Sequence, residues 1–165
     1  MSIAEKRFHT ISQIGMIVPD LEPVVAAMRE KLGVEPTYGT TPPLGREYRG
    51  EPSDFVCKMA FYHFANIELE IIQPISGTTS CYQDFLDSGR MGLHHIRFSI
   101  DDQKGTEAEM AELGFPVYQK GLSVNKPRCT WAFFDTEPTL PFIIETFNDL
   151  EFEKLQKEQN DQKES

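Results

Sequence analysis

The stretch QIGMIVPDLE, residues 13–22, returns in altered form 82 positions later as HIRFSIDDQK, residues 95–104. Both copies begin with a polar residue, alternate apolar side chains with others, and then reach an aspartate, Asp20 or Asp102. Alternation with a period of two is typical of a β-strand that buries one face. The chain is therefore organised as an internal repeat.

Each copy continues into an amphipathic stretch that is closed by a glycine, Gly33 or Gly114, which predicts a helix with a glycine at its C-terminal end. Strand-rich segments follow at residues 55–74 and 129–149, and each contains a turn signal. We therefore predict an α+β fold of two βαβββ modules, at about 8–76 and 92–150, which form paired curved sheets in a single domain, 8–150. A linker, 77–91, holds a short helix near residues 82–86, and a charged tail occupies 151–165.

Composition limits the kinds of partner. A chain of 165 residues with 39% hydrophobic content suits one domain, and a net charge of -10 disfavours a nucleic-acid groove. Three cysteines without a CxxC pair fit a reduced intracellular chain, and the sequence contains no apolar run of membrane-spanning length. We expect a cytoplasmic protein without a membrane or nucleic-acid partner that binds small molecules.

Strand alternation selects the candidate site residues. In residues 92–100, Ile96 and every second residue from it, including His94, are expected on the face that the helix covers. His95 and Arg97 are expected on the opposite, open face. We expect His94 to be packed and hydrogen-bonded. The same alternation in the other strands sends four polar side chains to the concave surface, with Glu68 beside them: Gln13, Glu70, His95 and Glu145.

Paired glutamates on a concave sheet face cost free energy unless a cation or water compensates them. A divalent metal is one solution. The other is a water-lined cavity in which the carboxylates pair with Arg97, Lys58 or Arg128. The residues alone leave both open.

Four separated segments, QIGMIVPDLE, ELEIIQP, GLHHIRFSIDD and FIIETFN, resemble the vicinal oxygen chelate superfamily, most closely its methylmalonyl-CoA epimerase and glyoxalase I branches. The resemblance implies a metal at Gln13, Glu70, His95 and Glu145, and a homodimer whose modules pair within one chain or across subunits. Gln13 departs from the epimerase pattern, which usually has histidine there, and is similar to eukaryotic glyoxalase I.

Three oxygen donors and one imidazole suit an open site for Co²⁺, Ni²⁺, Mn²⁺, Mg²⁺ or Zn²⁺. A metal-polarised carbonyl makes the adjacent C–H more acidic, so a metal-dependent isomerase or epimerase is expected, with Glu145 as the first choice of base and Glu70 as the second. Arg97 is expected to bind an acidic or thioester-linked group of the substrate. The alternatives are a lactoylglutathione lyase of the glyoxalase I type and a metal-free binding or sequestration protein. The loop TPPLGREYRG, residues 41–50, either meets an anionic cofactor arm through Arg46 and Arg49 or is a solvated connection.

Overall fold

The computed structural model describes residues 1–40, 45–77, 79–123, 126 and 129–154. The first half contains α1 (Ile3–Arg7), β1 (Thr10–Ile17), α2 (Glu22–Leu32), β2 (Thr37–Thr40), β3 (Arg46–Tyr48), β4 (Glu51–Ser53), β5 (Val56–Phe64) and β6 (Ile67–Ser76). The second half contains α3 (Cys81–Asp87), β7 (Gly92–Ser99), α4 (Gln103–Glu112), β8 (Val117–Leu122), β9 (Thr130–Phe134) and β10 (Ile143–Phe147). Residues 149–154 are helical, and residues 155–165 of the expected tail lie outside the described residues.

The strands form one sheet in the order β2-β5-β6-β1-β7-β10-β9-β8-β3-β4. Strands β2, β5, β6 and β1 belong to the first βαβββ module, and β7, β10, β9 and β8 belong to the second. The two modules meet through the antiparallel pairing of β1 with β7. The α+β prediction with two modules is confirmed, and the modules pair within one chain.

Each repeated aspartate bonds to a backbone amide at the start of the following helix, Asp102 as the N-cap of α4 and Asp20 from one residue before the N-cap of α2. Asp20 Oδ1 accepts the backbone N–H of Glu22 at the start of α2, at 3.2 Å, and Asp102 Oδ1 accepts the backbone N–H of Gly105 at the start of α4, at 2.9 Å. These bonds satisfy amide groups that have no partner inside the helix. At the other end of α2, Gly33 takes the left-handed conformation, φ 67°, as its position predicted.

Three apolar clusters fill the two sides of the sheet. Helix α2 covers the cluster that contains Val18, Val25 and Ile71, and the cluster around Met110 of α4 includes Phe134 and side chains next to α1. A third cluster contains residues from α3 and from the central strands: Ile17, Phe55, Cys57, Ile72, Cys81, Tyr82, Phe85, Phe133 and Ile143. This third cluster forms the floor beneath the concave surface.

A short hairpin, β3–β4, was not predicted and extends the sheet beyond β8. Its Tyr48 hydroxyl donates to Asp84 of α3, which also accepts from the Tyr118 hydroxyl at 2.9 Å and from Arg49 at 3.2 Å. The hairpin is thereby held against α3. Among the described residues, no helix is long and apolar enough to cross a lipid bilayer.

Candidate metal and substrate site

Three polar side chains converge on a nitrogen atom of a fourth, His95. The distances from His95 Nε2 are 3.4 Å to Gln13 Oε1, 3.4 Å to Glu70 Oε2 and 3.3 Å to Glu145 Oε2. The four residues come from the adjacent strands β6, β1, β7 and β10 at the middle of the sheet. The structure therefore brings together all four residues that were selected from the sequence; their role as ligands stays a prediction.

Strand register explains the convergence. Gly15 of β1 lies opposite His95 of β7, and Ile143 of β10 also pairs with His95. A Cβ atom built on Gly15 would overlap the His95 imidazole. Gly15 thus makes room for the ring, a role that the sequence analysis missed. A glycine inside a strand, as in the QIG sequence, is the signal that another group approaches closely.

Gln13 is oriented by a neighbour on β6. Its amide nitrogen donates to Glu68 Oε1 at 2.6 Å, which leaves Oε1 of the amide directed at His95. Arg97 lies 3.4 Å from the same Glu68 oxygen, and His63 Nδ1 is 3.4 Å from the other. Glu68 therefore supports the site through Gln13.

The pKa values of the ionisable groups at the centre are shifted far from their ordinary values. Burial raises the pKa of Glu70 to about 7 and raises the pKa of Glu145 well above its usual value; Arg97 opposes both shifts. Burial lowers the pKa of His95 to about 3, so the imidazole is neutral and its contacts with the two carboxyl groups are not ion pairs at neutral pH. A buried centre of this kind is typical of functional sites.

The donor set fits a small divalent cation. Adjacent donors around an ion with bonds of about 2.1 Å lie about 3.0–3.4 Å apart, which matches the three distances from His95 Nε2. Among the described residues, Glu145 Oε2 is buried without a hydrogen-bond partner, and a bound cation would satisfy it. Within the described residues, however, no group of three or more His, Cys, Asp and Glu side chains has the arrangement of a preformed metal site. The four proposed donors therefore converge without forming a preformed metal site.

A cleft of about 720 Å³ opens over this centre, a volume suited to a small-molecule ligand. Gln13, Glu70 and Glu145 lie in its wall. Aromatic and cationic side chains complete the lining, among them Phe61, Tyr82, Trp131, Phe133, Phe147, Arg97 and Lys126. The cleft therefore offers an apolar surface next to a polar centre.

Arg97 lies in the wall of the cleft, and its role in substrate binding stays a prediction. Its guanidinium lies 5.1 Å from the centroid of the Phe147 ring and donates to the Ser12 hydroxyl at 3.1 Å. It also forms an ion pair with Glu68, and pairing of Arg97 with carboxylates is what the water-lined alternative predicted. Of the other proposed cations, Lys58 is exposed, and Arg128 lies outside the described residues.

Two sequence expectations need correction. Residues 41–44 of the loop 41–50 lie outside the described residues, and Arg46 does not face a cofactor arm: it is 3% exposed and stacks on Phe55 at 4.2 Å. His94 is packed and hydrogen-bonded as expected, but it does not lie with the helix-covered residues. It contacts Phe133 of the floor cluster because β7 has an extra residue where Gly15 pairs with His95 and Met16 pairs with Leu93.

Two βαβββ modules in one sheet, with oxygen and nitrogen donors on its central strands, define a protein of the vicinal oxygen chelate class. The family model of the Glyoxalase/Bleomycin resistance protein/Dioxygenase superfamily matches residues 12–133, and the chain belongs to that superfamily. No curated protein matches the sequence significantly.

Solved structures share the fold at low sequence identity. A variant of Streptomyces coelicolor methylmalonyl-CoA epimerase in complex with 2-nitronate-propionyl-CoA is 18% identical, with a TM-score of 0.63 over 86% of this chain and 94% of that chain. A hypothetical protein from Bacillus halodurans is 19% identical, with a TM-score of 0.61 over 85% of this chain and 94% of its own. Methylmalonyl-CoA epimerase from Mycobacterium tuberculosis is 12% identical, with a TM-score of 0.59 over 86% and 88% of the two chains. At these identities the likeness establishes the fold.

Proposed function

We propose that the protein is a metal-dependent isomerase or epimerase that moves a proton at a carbon next to a carbonyl group, with activity similar to that of methylmalonyl-CoA epimerase. The observation that carries the proposal is the convergence of Gln13, Glu70 and Glu145 on His95 Nε2 at 3.3–3.4 Å, at the wall of a ligand-sized cleft. The fold that the chain shares with epimerases of this class adds support.

Gln13, Glu70, His95 and Glu145 would hold one divalent ion, for which Co²⁺, Ni²⁺, Mn²⁺, Mg²⁺ and Zn²⁺ are the candidates. When bound, the ion supplies Lewis acidity that favours negative charge on the substrate oxygen. The protein supplies the proton transfer. Glu145 is the first choice of base, because one of its oxygens is buried and has no hydrogen-bond partner in the part of the chain that the structure describes.

Glu70 is the second choice of base. It approaches His95 from β6, whereas Glu145 approaches from β10 on the far side of β1 and β7. Arg97, above Phe147, would orient the acidic or thioester-linked part of the substrate.

A metal-free binding or sequestration protein is the second candidate. It is favoured by the lack of a preformed cage among the described His, Cys, Asp and Glu side chains. In that case the raised pKa values of Glu70 and Glu145 would leave the centre uncharged below neutral pH, and a ligand would be held by the aromatic walls of the cleft. The third candidate, a lactoylglutathione lyase of the glyoxalase I type, would use the same metal site as the proposed epimerase and would act on a different substrate.

The deciding experiment combines metal analysis with exchange chemistry. Protein purified without chelator is assayed for divalent metals, and deuterium uptake from D₂O at the α-carbon of methylmalonyl-CoA is followed by mass spectrometry, beside isomerisation of a glutathione hemithioacetal. We expect about one ion per chain and α-carbon exchange that Glu145→Gln abolishes. Glu47→Gln is the matched control, since Glu47 is about half exposed and does not line the cleft.

The outcomes separate the candidates. Hemithioacetal turnover without α-carbon exchange assigns the lyase activity. A protein that stays metal-free after reconstitution and still binds acyl ligands is the sequestration protein. Exchange at the parental rate in Glu145→Gln removes Glu145 from the role of base.

We also propose a homodimer. The terminal strands β2 and β4 of the described sheet each have one unpaired edge, and such edges are usually covered. Light scattering should give about twice the chain mass of 18.8 kDa. A chain that ends at residue 155 should give the same stoichiometry, because the acidic tail is expected outside the interface; a monomer at micromolar concentration contradicts the proposal.

A further inference from the structure

Tyr82 reaches the cleft from outside the repeat. It belongs to α3, the short helix of the segment that links the two modules, whereas the four proposed donors come from strands of the modules. Its side chain is 7% exposed and lies in the wall of the cleft. Neither the proposed cation site nor the proposed proton transfer involves this residue.

The first turn of α3 is held on both sides of Tyr82. The backbone N–H of Cys81 donates to the buried side-chain oxygen of Gln119 at 3.0 Å, and the Ser80 hydroxyl accepts the backbone N–H of Gln83 at 3.2 Å. Both bonds satisfy amide groups that have no partner inside the helix. The backbone that carries Tyr82 is therefore fixed in place.

Three aromatic neighbours hold the Tyr82 ring in one orientation. Its centroid lies 5.4 Å from that of Phe55 and 5.7 Å from that of Phe133, both in edge-to-face contact, and 5.5 Å from that of His94. Such contacts are favourable packing arrangements for aromatic rings. Phe133 in turn lies 4.8 Å from the His95 ring. Tyr82 is thus separated from the proposed cation site by a single ring.

The Tyr82 hydroxyl is accessible from the cleft. It forms no hydrogen bond with the described residues, yet it is not one of the polar atoms that are both fully buried and unpartnered, whereas the Tyr62 hydroxyl is. The Tyr82 ring packs in the floor cluster and its side chain lines the cleft. The space that the hydroxyl reaches is therefore the cleft.

The phenol of Tyr82 is a hydrogen-bond donor at neutral pH. A tyrosine ordinarily has a pKa of about 10. Burial, with smaller contributions from acidic groups that include Cys81, Glu70 and Glu145, raises the pKa of Tyr82 well above that value. The phenol is therefore protonated and lies near both carboxyl groups proposed as bases, so it has a hydrogen bond to give to a ligand.

We propose that the Tyr82 hydroxyl is a further catalytic group, which donates a hydrogen bond to the substrate oxygen on which negative charge develops as the α-proton leaves. In that step the C–H bond breaks and its proton passes to Glu145. The C–H electron pair forms a C=C bond, and the carbonyl π pair moves on to the oxygen, while the phenol keeps its own proton. A donor that is fixed before the reaction stabilises such charge without reorganisation. The assignment rests on the proposed function, but it does not depend on which cation is bound.

Tyr82→Phe removes the hydroxyl and keeps the ring. We expect kcat for α-carbon exchange, or for hemithioacetal isomerisation if that is the activity, to fall by about 10²–10³-fold, with KM and metal content nearly unchanged. Tyr62→Phe is the matched control, because Tyr62 is also buried but packs in the cluster under α2 and does not line the cleft. Its kcat should equal that of the parent. Chemical denaturation of both variants shows whether the packing is retained.

A second measurement reads the hydrogen bond without turnover. In 2-nitronate-propionyl-CoA the nitronate group carries its negative charge on oxygen, as the enolate does, whereas propionyl-CoA lacks that charge. Calorimetry should show that Tyr82→Phe weakens binding of the nitronate by about 10²–10³-fold and leaves the affinity for propionyl-CoA unchanged.

The outcomes separate the role of Tyr82 from the proposed function. A Tyr82→Phe protein that exchanges at the parental rate, or that binds the nitronate as tightly as the parent, overturns the assignment of Tyr82 and leaves the proposed function standing. A parent that exchanges nothing but binds the nitronate more tightly than Tyr82→Phe removes the proposed function and retains the hydroxyl as a donor. A parent that neither exchanges nor binds overturns both.

Discussion

Gln13 donates a hydrogen bond from its amide nitrogen to Glu68 at 2.6 Å, across the parallel pairing in which the two residues are direct neighbours. An amide that gives its nitrogen to a carboxylate presents its oxygen on the opposite side, and here that side is His95. The orientation of Gln13 thus depends on a residue that is not itself one of the four proposed ligands.

Glu68→Gln and Glu68→Leu should therefore differ. The glutamine retains an oxygen acceptor for Gln13, so metal content should survive, whereas the leucine removes it and should weaken metal binding by about 10–100-fold. Glu70→Gln, which neutralises a proposed ligand, should have the larger effect. Isothermal titration with Co²⁺ measures all three; if Glu68→Gln empties the site and Glu70→Gln leaves it full, the assignment of Glu70 as ligand is wrong.

Gly15→Ala should displace the His95 ring, because the added Cβ overlaps the imidazole. We expect a loss of about 1–3 kcal/mol in the free energy of unfolding, as for other overpacked cores, together with weakened metal binding. The control is the double variant with His95→Ala, in which the overlap no longer exists. The stability cost of Gly15→Ala should shrink in that background; equal costs in both backgrounds would show that the ring is not the obstacle.

The stability that Glu70 and Glu145 contribute to the metal-free protein should fall as pH rises from about 4.5 to 7, whereas buried His94 and His95, whose pKa values are lowered by burial, contribute in the opposite direction. Burial raises the pKa of Glu70 to about 7 and that of Glu145 well above 4.5, so the folded state keeps protons that the unfolded state has already released. A raised carboxyl pKa therefore contributes stability at low pH that is lost through this window, at up to about 1.4 kcal/mol per pH unit and group.

A divalent ion should reverse that loss, since it binds the deprotonated carboxylates. Denaturant unfolding at pH 5, 6 and 7, with and without Co²⁺, should show stabilisation by the ion that grows with pH. Glu145→Gln should remove the falling contribution of that carboxyl group, so the stability of the metal-free variant relative to the parent should increase as pH rises. A stability difference between variant and parent that does not change with pH contradicts the predicted shift of Glu145.

Arg46→Met should not destabilise the protein. The guanidinium is buried, none of its three nitrogens has a hydrogen-bond partner among the residues that the structure describes, and burial lowers its pKa. Replacing a buried charge with an apolar side chain of similar size is often neutral or stabilising, and the lost stacking on Phe55 offsets part of the gain, so we expect a change of about 0 to +2 kcal/mol in the free energy of unfolding.

Arg49→Met is the comparison for that substitution. Arg49 is largely exposed and paired with Asp84, so its loss should lower stability by less than about 1 kcal/mol. Chemical denaturation gives both values. A loss of several kcal/mol in Arg46→Met would mean that Arg46 has a partner in solution.

Side-chain alternation was enough to place Gln13, Glu70, His95 and Glu145 on one surface, because each lies in a strand with a clear apolar face. It did not show that they meet around one atom, since that depends on which strands are neighbours and on the β1–β7 register. It also misplaced His94. One extra residue in a strand reverses which face the side chains point to, and the sequence pattern does not reveal such a residue.

The hairpin β3–β4 was missed for a different reason. Its strands have three residues each, too few to establish a period, and they lie in a segment rich in proline and glycine. Hydrogen bonds to Asp84 and pairing with β8 hold it in place, and both contacts are distant in sequence. Short elements that depend on such contacts have no local signature.

Because β1 and β7 pair inside one chain, the convergent centre takes two donors from each module: Gln13 and Glu70 from the first, His95 and Glu145 from the second. Each half of the repeat thus supplies two of the four proposed donors. Neither half supplies all four of the proposed donors alone. One chain brings the four together without a partner, so a change in quaternary structure would not divide the proposed site.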